Sequence, residues 1–212
     1  MQTGQMEAWS GEFGAEYTRR NCVDPDQFDR EYGEWYGHRR TELNERFLGH
    51  LPRDARILEV GTNVGNQLAL LGRMGFTALY GVELQWGAID LARQRVPRTN
   101  VVQGSAFEIP FRDAWFDVVF TSGVLIHIAP DDLGRVMDEM HRCARRYVFG
   151  CEYYAEAPTA LNYRGRDGLL WKMDYARGFR ARFPRLGLAR EEHLRSRFDA
   201  TVDHVYLLEK PA

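Results

Sequence analysis

The sequence predicts an α/β fold of the doubly wound kind, and three observations predict it. Short apolar runs recur along the first 150 residues: Ile57-Leu58 with Val60, Thr77 to Val82, Val101-Val102, Phe116 to Thr121 and Tyr147 to Phe149. The segments between them take helical spacing, as in Leu68 and Leu71, or Val136, Met137 and Met140. A glycine turn, Gly61 to Gly65, joins the first run directly to the first helical segment. Strands alternating with helices imply parallel βαβ units with right-handed crossovers. In such sheets ligands collect outside the carboxyl ends of the strands. Those ends are Gly61, Glu83, Ser105, Thr121-Ser122 and Glu152.

Taken in order, residues 1–8 are polar and expected to fray. Trp9, Phe13 and Tyr17 fall at i, i+4 and i+8, which predicts one helix with an aromatic stripe. Arg39 to Leu51 reads as a helix stopped by Pro52, so residues 1–50 are expected to form a helical cap. The helix after the glycine turn closes at Gly72 to Gly75, and the second strand ends at Glu83. Gln85 to Arg95 is helical and stops at Pro97. The third strand leads to Gly104-Ser105-Ala106-Phe107, and the fourth is entered through Asp113-Ala114-Trp115. Leu133 to Arg145 reads as a helix with Asp131 and Asp132 at its positive end. Tyr153 to Trp171 is polar, aromatic and punctuated by Pro158, Gly165 and Gly168, and reads as a long loop. Asp174 to Phe183 is a candidate helix before Pro184. Val205 to Leu208 reads as a terminal strand at an edge or inserted in the sheet.

Composition bounds the function. The 212 residues suit one domain, and a net charge of −2 makes no electrostatic case for nucleic acid or a membrane surface. Nearly all basic residues are Arg, Lys172 and Lys210 being the exceptions. Cys22, Cys143 and Cys151 have no ligand spacing, so neither a disulfide framework nor a metal site is expected. No signal peptide or membrane-length apolar run is visible, and the expected compartment is the cytoplasm.

A strand that turns sharply into a helix leaves backbone N–H groups facing outward at a positive dipole end. Glu59-Val60-Gly61-Thr62-Asn63-Val64-Gly65 is such a corner. A nicotinamide or flavin site needs glycine at each position where the pyrophosphate approaches the backbone. Asn63 stands at the middle one, which argues against that chemistry, and no Gly-Lys-Ser/Thr follows for a P-loop.

This corner, with Glu83 eighteen positions after Gly65, Gly104 to Phe107, and Phe116-Asp117-Val118-Val119-Phe120 followed by Ser122 to Ile128, resembles the ordered motifs of class I S-adenosylmethionine-dependent methyltransferases. Ser105 stands where that family often has Asp. The segments Trp9 to Asn21, Glu152 to Tyr154, Tyr163 to Gly165 and Tyr206 to Lys210 are similar to methylases associated with pseudaminic acid biosynthesis. The resemblance implies a Rossmann-like, mostly parallel seven-stranded sheet forming a single domain: cap over 1–50, cofactor core over 55–150, and substrate side over 151–212. It implies S-adenosyl-L-methionine as cofactor. Glu59, Gly61, Thr62, Asn63 and Gly65 would line its methionine side, with Glu83 and Leu84 at the ribose. Ser105, Ala106 and Phe107 would hold the adenine, beside Thr121, Ser122 and Gly123. Tyr17, Arg20 and Asn21 would overhang the corner. Ordinary structural roles remain open for Glu59, Glu83 and Phe107.

Methyl transfer needs an aligned, unprotonated nucleophile and exclusion of water. His127, Glu152 and Tyr153 are the candidate catalytic groups at the strand ends, His having a suitable unperturbed pKa. A structural role for His127 is an equal alternative. Tyr154, Tyr163, Arg164 and Lys172 are candidates to clamp a substrate carboxylate. The expected reaction is methyl transfer to an amine or hydroxyl of a small acid: a nonulosonate sugar, its precursor or an amino acid. A non-catalytic cofactor-binding subunit and a nicotinamide-dependent oxidoreductase are the alternatives.

Overall fold

The structure is a computed structural model that describes residues 3–211. The chain packs as two compact units, one running to Ser105 and the other starting at Ala106. The first contains α1 (Gly4–Ser10), α2 (Glu12–Asn21), α3 (Pro25–Tyr36), α4 (Arg40–Leu48), β1 (Arg56–Val60), α5 (Asn66–Arg73), β2 (Ala78–Glu83), α6 (Trp86–Arg95) and β3 (Asn100–Gln103). The second contains β4 (Phe116–Ser122), a 3₁₀ turn (Leu125–His127), α7 (Pro130–Cys143), β5 (Ala144–Tyr153), β6 (Thr159–Tyr163), β7 (Arg166–Lys172), α8 (Tyr175–Arg182), β8 (Gly187–Arg195) and β9 (Val202–Glu209). The main sheet is seven-stranded, in the order β3-β2-β1-β4-β5-β9-β8. It is the mostly parallel α/β sheet that the sequence predicts, with helices preceding its first strand.

In the first unit β1 pairs β2 and β2 pairs β3, all parallel. Ile57, Leu58, Val60, Leu79 and Val82 are buried on both sheet faces, which is why these strands read as nearly continuous apolar runs. The N-terminal region departs from expectation. The predicted single aromatic helix is two helices broken at Gly11, whose backbone is extended (φ −94°, ψ −161°). The stripe survives the break: the Trp9 ring meets Phe13 at 5.3 Å and Tyr17 at 5.1 Å, both edge-on. Residues 4–8, expected to fray, begin α1 under a Thr3 cap, and residues 1 and 2 lie outside the described residues. The helix expected to reach Leu51 ends at Leu48. Between them lies α3, begun by the Asp24 side chain accepting from Asp26 N–H with Pro25 in the first turn.

In the second unit β4 and β5 are parallel, and β5–β9–β8 runs antiparallel. The terminal strand is therefore inserted, with β8 outside it. The stretch from Tyr153 to Trp171, read as a long loop, holds an antiparallel hairpin instead, β6 with β7. Its two-residue turn, Arg164 (φ 54°) and Gly165 (φ 80°), has positive φ at both positions, the geometry that matches strand twist. Strand β8 gives no signal in the sequence, because Arg190-Glu191-Glu192-His193 carries no apolar run. Among the described residues no helix is long and apolar enough to cross a membrane.

Candidate functional site

In the first unit the corner between β1 and α5 is held by backbone and carboxylate together. Gly61 and Thr62 both donate N–H to the Val82 carbonyl, at 2.8 and 3.1 Å, so the turn is stitched to the end of β2. Gly61, Asn63 and Gly65 all have positive φ, at 75°, 46° and 80°. Gly65 is the residue before α5, and a Cβ there would lie 2.8 Å from Val96 Cγ2. Both its φ and the room beside it require glycine.

Glu83, at the end of β2, accepts three backbone N–H bonds: Asn63 at 2.8 Å on Oε2, Leu84 at 2.8 Å and Gln85 at 3.0 Å on Oε1. Burial raises its pKa, and these three bonds oppose the rise. A carboxylate has about four lone-pair sites, so acceptor capacity remains. Behind it Glu59 is buried and accepts from the Thr62 hydroxyl at 2.7 Å. Burial pushes its pKa up to about 8, against the Thr62 bond and the charge of buried Arg40. With its amide turned, Gln67 accepts from the Arg40 guanidinium at 2.5 and 2.6 Å.

The segment Tyr17 to Asn21 meets this corner, though not through its arginines. Arg19 pairs with Glu12 at 2.6 Å and Arg20 with Glu16 at 3.8 Å, both on α2 itself. Contact is made by the Thr18 hydroxyl, which donates to Asn63 Oδ1 at 3.0 Å, and by the Asn21 carbonyl, which accepts from Asn66 Nδ2 at 3.1 Å. Arg95 extends the tie, bonding Asn66 Oδ1 at 2.9 Å and the Val23 carbonyl. Tyr17 stays in the aromatic stripe against Trp9. The Ser105 hydroxyl lies 3.9 Å from Met6 Sδ.

In the second unit the end of β4 passes from buried Thr121 through Ser122 to Gly123 (φ 66°), whose N–H donates to the Cys151 carbonyl at 2.9 Å. Glu152, on β5, repeats the pattern of Glu83. Its two oxygens accept from Val124 N–H at 3.2 Å and Ile126 N–H at 3.3 Å, which shapes the turn after β4. Burial raises its pKa to about 7, opposed by the Thr121 hydroxyl and these N–H groups.

His127 closes the same turn. Its Nδ1 is 2.7 Å from the Leu169 carbonyl of β7, and a carbonyl only accepts, so Nδ1 carries the proton and Nε2 has the lone pair. Burial lowers its pKa to about 4, leaving the ring neutral at pH 7. The hairpin supplies more than that carbonyl: the Tyr163 ring is 5.2 Å from His127, and the Arg164 guanidinium is 5.9 Å from Tyr163. Lys172 sits 5.5 Å from the Tyr153 ring and donates to Thr201 at 3.5 Å, while burial raises the Tyr153 pKa. Tyr154 goes elsewhere, edge-on to His193 at 4.5 Å. Phe107, beside Ala106, lies under the Arg135 guanidinium at 4.8 Å.

A carboxylate bound to the N–H of its own glycine turn, one strand further along, is the feature that orders this corner. Residues 58–147 match the methyltransferase domain family. Demethylmenaquinone methyltransferase of Chlorobaculum tepidum is 29% identical over 110 residues, 52% of this chain and 44% of that protein. The chain spans about half the length of the curated relatives it matches. Among solved structures, magnesium protoporphyrin IX methyltransferase of Synechocystis PCC 6803, with bound S-adenosylhomocysteine, superposes with a TM-score of 0.70 over 97% of this chain and 98% of its own, at 14% identity. The 1,6-didemethyltoxoflavin-N1-methyltransferase of Burkholderia thailandensis gives 0.68 over 95% and 90%, at 18% identity. These structures share the fold. With the match of the methyltransferase domain model, they support S-adenosylmethionine as the cofactor.

In the first unit the structure groups Glu59, Thr62, Asn63, Glu83 and Leu84 by direct bonds, and adds Thr18, Asn66, Gln85 and Arg95. None of these four is legible as a site residue. Thr18 sits among the more conspicuous arginines, and the roles of Asn66 and Arg95 depend on where α2 ends. In the second unit His127, Tyr163 and Arg164 form one chain of contacts, next to the turn that Glu152 holds, while Lys172 with Tyr153, and Tyr154, form two others.

Proposed function

We propose that this protein transfers the methyl group of S-adenosylmethionine to an amine or hydroxyl of a small carboxylate-bearing molecule, such as a nonulosonate sugar, its precursor or an amino acid. The observation that carries the reading is Glu83. It is a buried strand-end carboxylate, held by three N–H donors, with acceptor capacity left for the two hydroxyls of a ribose. The corner with Asn63 in place of glycine suits a cofactor that has no pyrophosphate. The match over residues 58–147 supports the same chemistry. The likeness of the chain's ends to pseudaminic acid-associated methylases belongs to this proposal, as do a single methyltransferase domain over 1–212 and a cytoplasmic setting.

When bound, the cofactor supplies an electrophilic methyl group on a sulfonium that is its own leaving group. The residues proposed to hold it are Glu59, Gly61, Thr62, Asn63 and Gly65 at the amino acid end, and Glu83 and Leu84 at the ribose. Ser105, Ala106 and Phe107 are assigned to the base, Thr121, Ser122 and Gly123 to the cofactor as well, and the segment of Tyr17, Arg20 and Asn21 to the lid. The turn after β4 is kept in shape by Glu152, which acts as a positioning group. His127 Nε2 takes the proton that the acceptor gives up as its lone pair forms the new bond to carbon. Its low pKa keeps it ready to accept but makes it a weak base. For an amine acceptor already neutral in the site, alignment suffices. Arg164 with Tyr163 is proposed to receive the substrate carboxylate, Lys172 and Tyr154 are proposed as separate substrate contacts, and Tyr153 as a catalytic group.

A panel of small amino acids, amines and acidic sugars, incubated with cofactor and assayed for S-adenosylhomocysteine, tests the proposal. Turnover with a carboxylate-bearing acceptor, lost when the carboxylate is esterified, is the expected result. Turnover only with neutral acceptors would remove the clamp. Cofactor binding with no turnover on any acceptor would favour a regulatory or partner subunit.

A further inference from the structure

The register of β8 against β9 sets His193 directly opposite His204. Residues two apart on a strand face the same way, so Glu191 shares their face. The imidazole rings stack at 4.2 Å with an interplanar angle of 10°. One ligating atom from each of Glu191, His193 and His204 lies within 4.8 Å of the others.

The three differ in setting. His204 is 1% exposed, fixed between strands, while Glu191 and His193 are exposed on the edge strand. His204 Nε2 is 3.0 Å from Glu191 Oε2. Its buried Nδ1 makes no hydrogen bond, and Asp174 Oδ1, at the start of α8, stands 3.8 Å away. Asp174 Oδ1 also accepts from Arg177 N–H at 2.9 Å, which fixes the carboxylate in place. The Tyr154 ring walls one side, edge-on to both histidines at 4.5 and 5.6 Å.

We propose that Glu191, His193 and His204 form a divalent transition-metal site, zinc by preference, that clips edge strand β8 to β9. Two imidazoles and one carboxylate are a borderline ligand set suited to zinc, and unsuited to magnesium or calcium, which prefer oxygen alone. Zinc bonds of about 2.0–2.2 Å require the three atoms to draw together. The two exposed side chains have the freedom to do so, while His204 stays fixed. With metal on His204 Nε2, Asp174 takes the part of the outer carboxylate that orients a ligating imidazole through its other nitrogen. The exposed side of the site leaves a fourth position for water. The proposed methyl transfer uses none of the three ligands, and shares with this site only the Tyr154 ring.

The test is calorimetric titration of the untagged, metal-stripped full chain with zinc chloride and, separately, magnesium chloride, followed by thermal unfolding. His193→Asn and Glu191→Gln are suitable variants because both positions are exposed on an edge strand, and far-ultraviolet circular dichroism checks that they fold. The expected result is one zinc per chain, no magnesium binding, a higher unfolding midpoint with zinc, and affinity at least about tenfold weaker in each variant. Asp174→Asn, which retains a helix-capping side chain, weakens zinc less while the visible spectrum of the cobalt-substituted protein keeps its form. Absence of saturable zinc binding, or zinc affinity unchanged in the His193→Asn/Glu191→Gln double variant, would overturn the site. Stoichiometric zinc that leaves the unfolding midpoint unchanged would overturn the clip.

Discussion

Glu83 and Glu152 solve the same physical problem at the ends of two strands. A glycine turn after a parallel strand exposes backbone N–H groups that have no partner in the sheet, and burying them unpaired is costly. Each carboxylate takes several of these donors at once, Glu83 from Asn63, Leu84 and Gln85, Glu152 from Val124 and Ile126. These bonds hold each turn in a defined shape. Glu83→Gln keeps the size but replaces one oxygen by a donor that faces other donors. Affinity for S-adenosylmethionine is expected to fall by about 1–3 kcal/mol, measured by calorimetry. Unchanged affinity would take Glu83 out of the cofactor site. At this scale the sequence was partly legible. Glu83 is visible as an acid closing an apolar run. Thr18, the residue that reaches Asn63, is not, because its contact spans 45 positions along the chain.

Elements were legible in proportion to how much apolar surface they bury. β1, β2 and β4 are buried on both faces, and their residues read as strands without help from context. The hairpin β6–β7 reads as loop because only Leu169 and Leu170 of its strand residues are buried and its glycines serve the turn and the strand rather than breaking it. Strand β8 is an exposed edge whose alternation is between polar residues, so period alone shows nothing. The break at Gly11 was hidden by the aromatic spacing that continues across it. The corner between β1 and α5 is the element on which the proposed site depends most. Gly65→Ala forces a side chain into positive φ and against Val96. It is expected to cost about 1–3 kcal/mol in urea unfolding and to weaken cofactor binding as well. Wild-type stability with weakened binding would mean that the strain is absorbed by the loop alone.

At the scale of the whole molecule, buried titratable groups couple stability to pH. The Glu59 pKa rises in the folded state to about 8 from 4.5. Between those values the folded chain holds a proton that the unfolded chain has released. Stability contributed by this group is therefore complete below about 4.5 and lost as pH rises through about 8. His127 works in the opposite sense. With its folded pKa near 4 against 6.5, its contribution is complete above 6.5 and lost as pH falls through about 4. Glu59→Gln should remove the alkaline-side loss, so that the variant gains on wild type between pH 5 and pH 9 in denaturant titrations. A constant difference across that range would place Glu59 in its ionised form throughout.

The corner of Glu59, Asn63 and Glu83 is proposed to hold S-adenosylmethionine, and a binding measurement tests this without knowledge of the acceptor. Calorimetric titration of the purified chain with S-adenosylmethionine, S-adenosylhomocysteine and a nicotinamide dinucleotide, each also against Glu83→Gln, separates the possibilities. The first two are predicted to bind saturably and to weaken in the variant, with no binding of the third. Binding of the nicotinamide dinucleotide alone would assign the corner to a different cofactor and rule out S-adenosylmethionine.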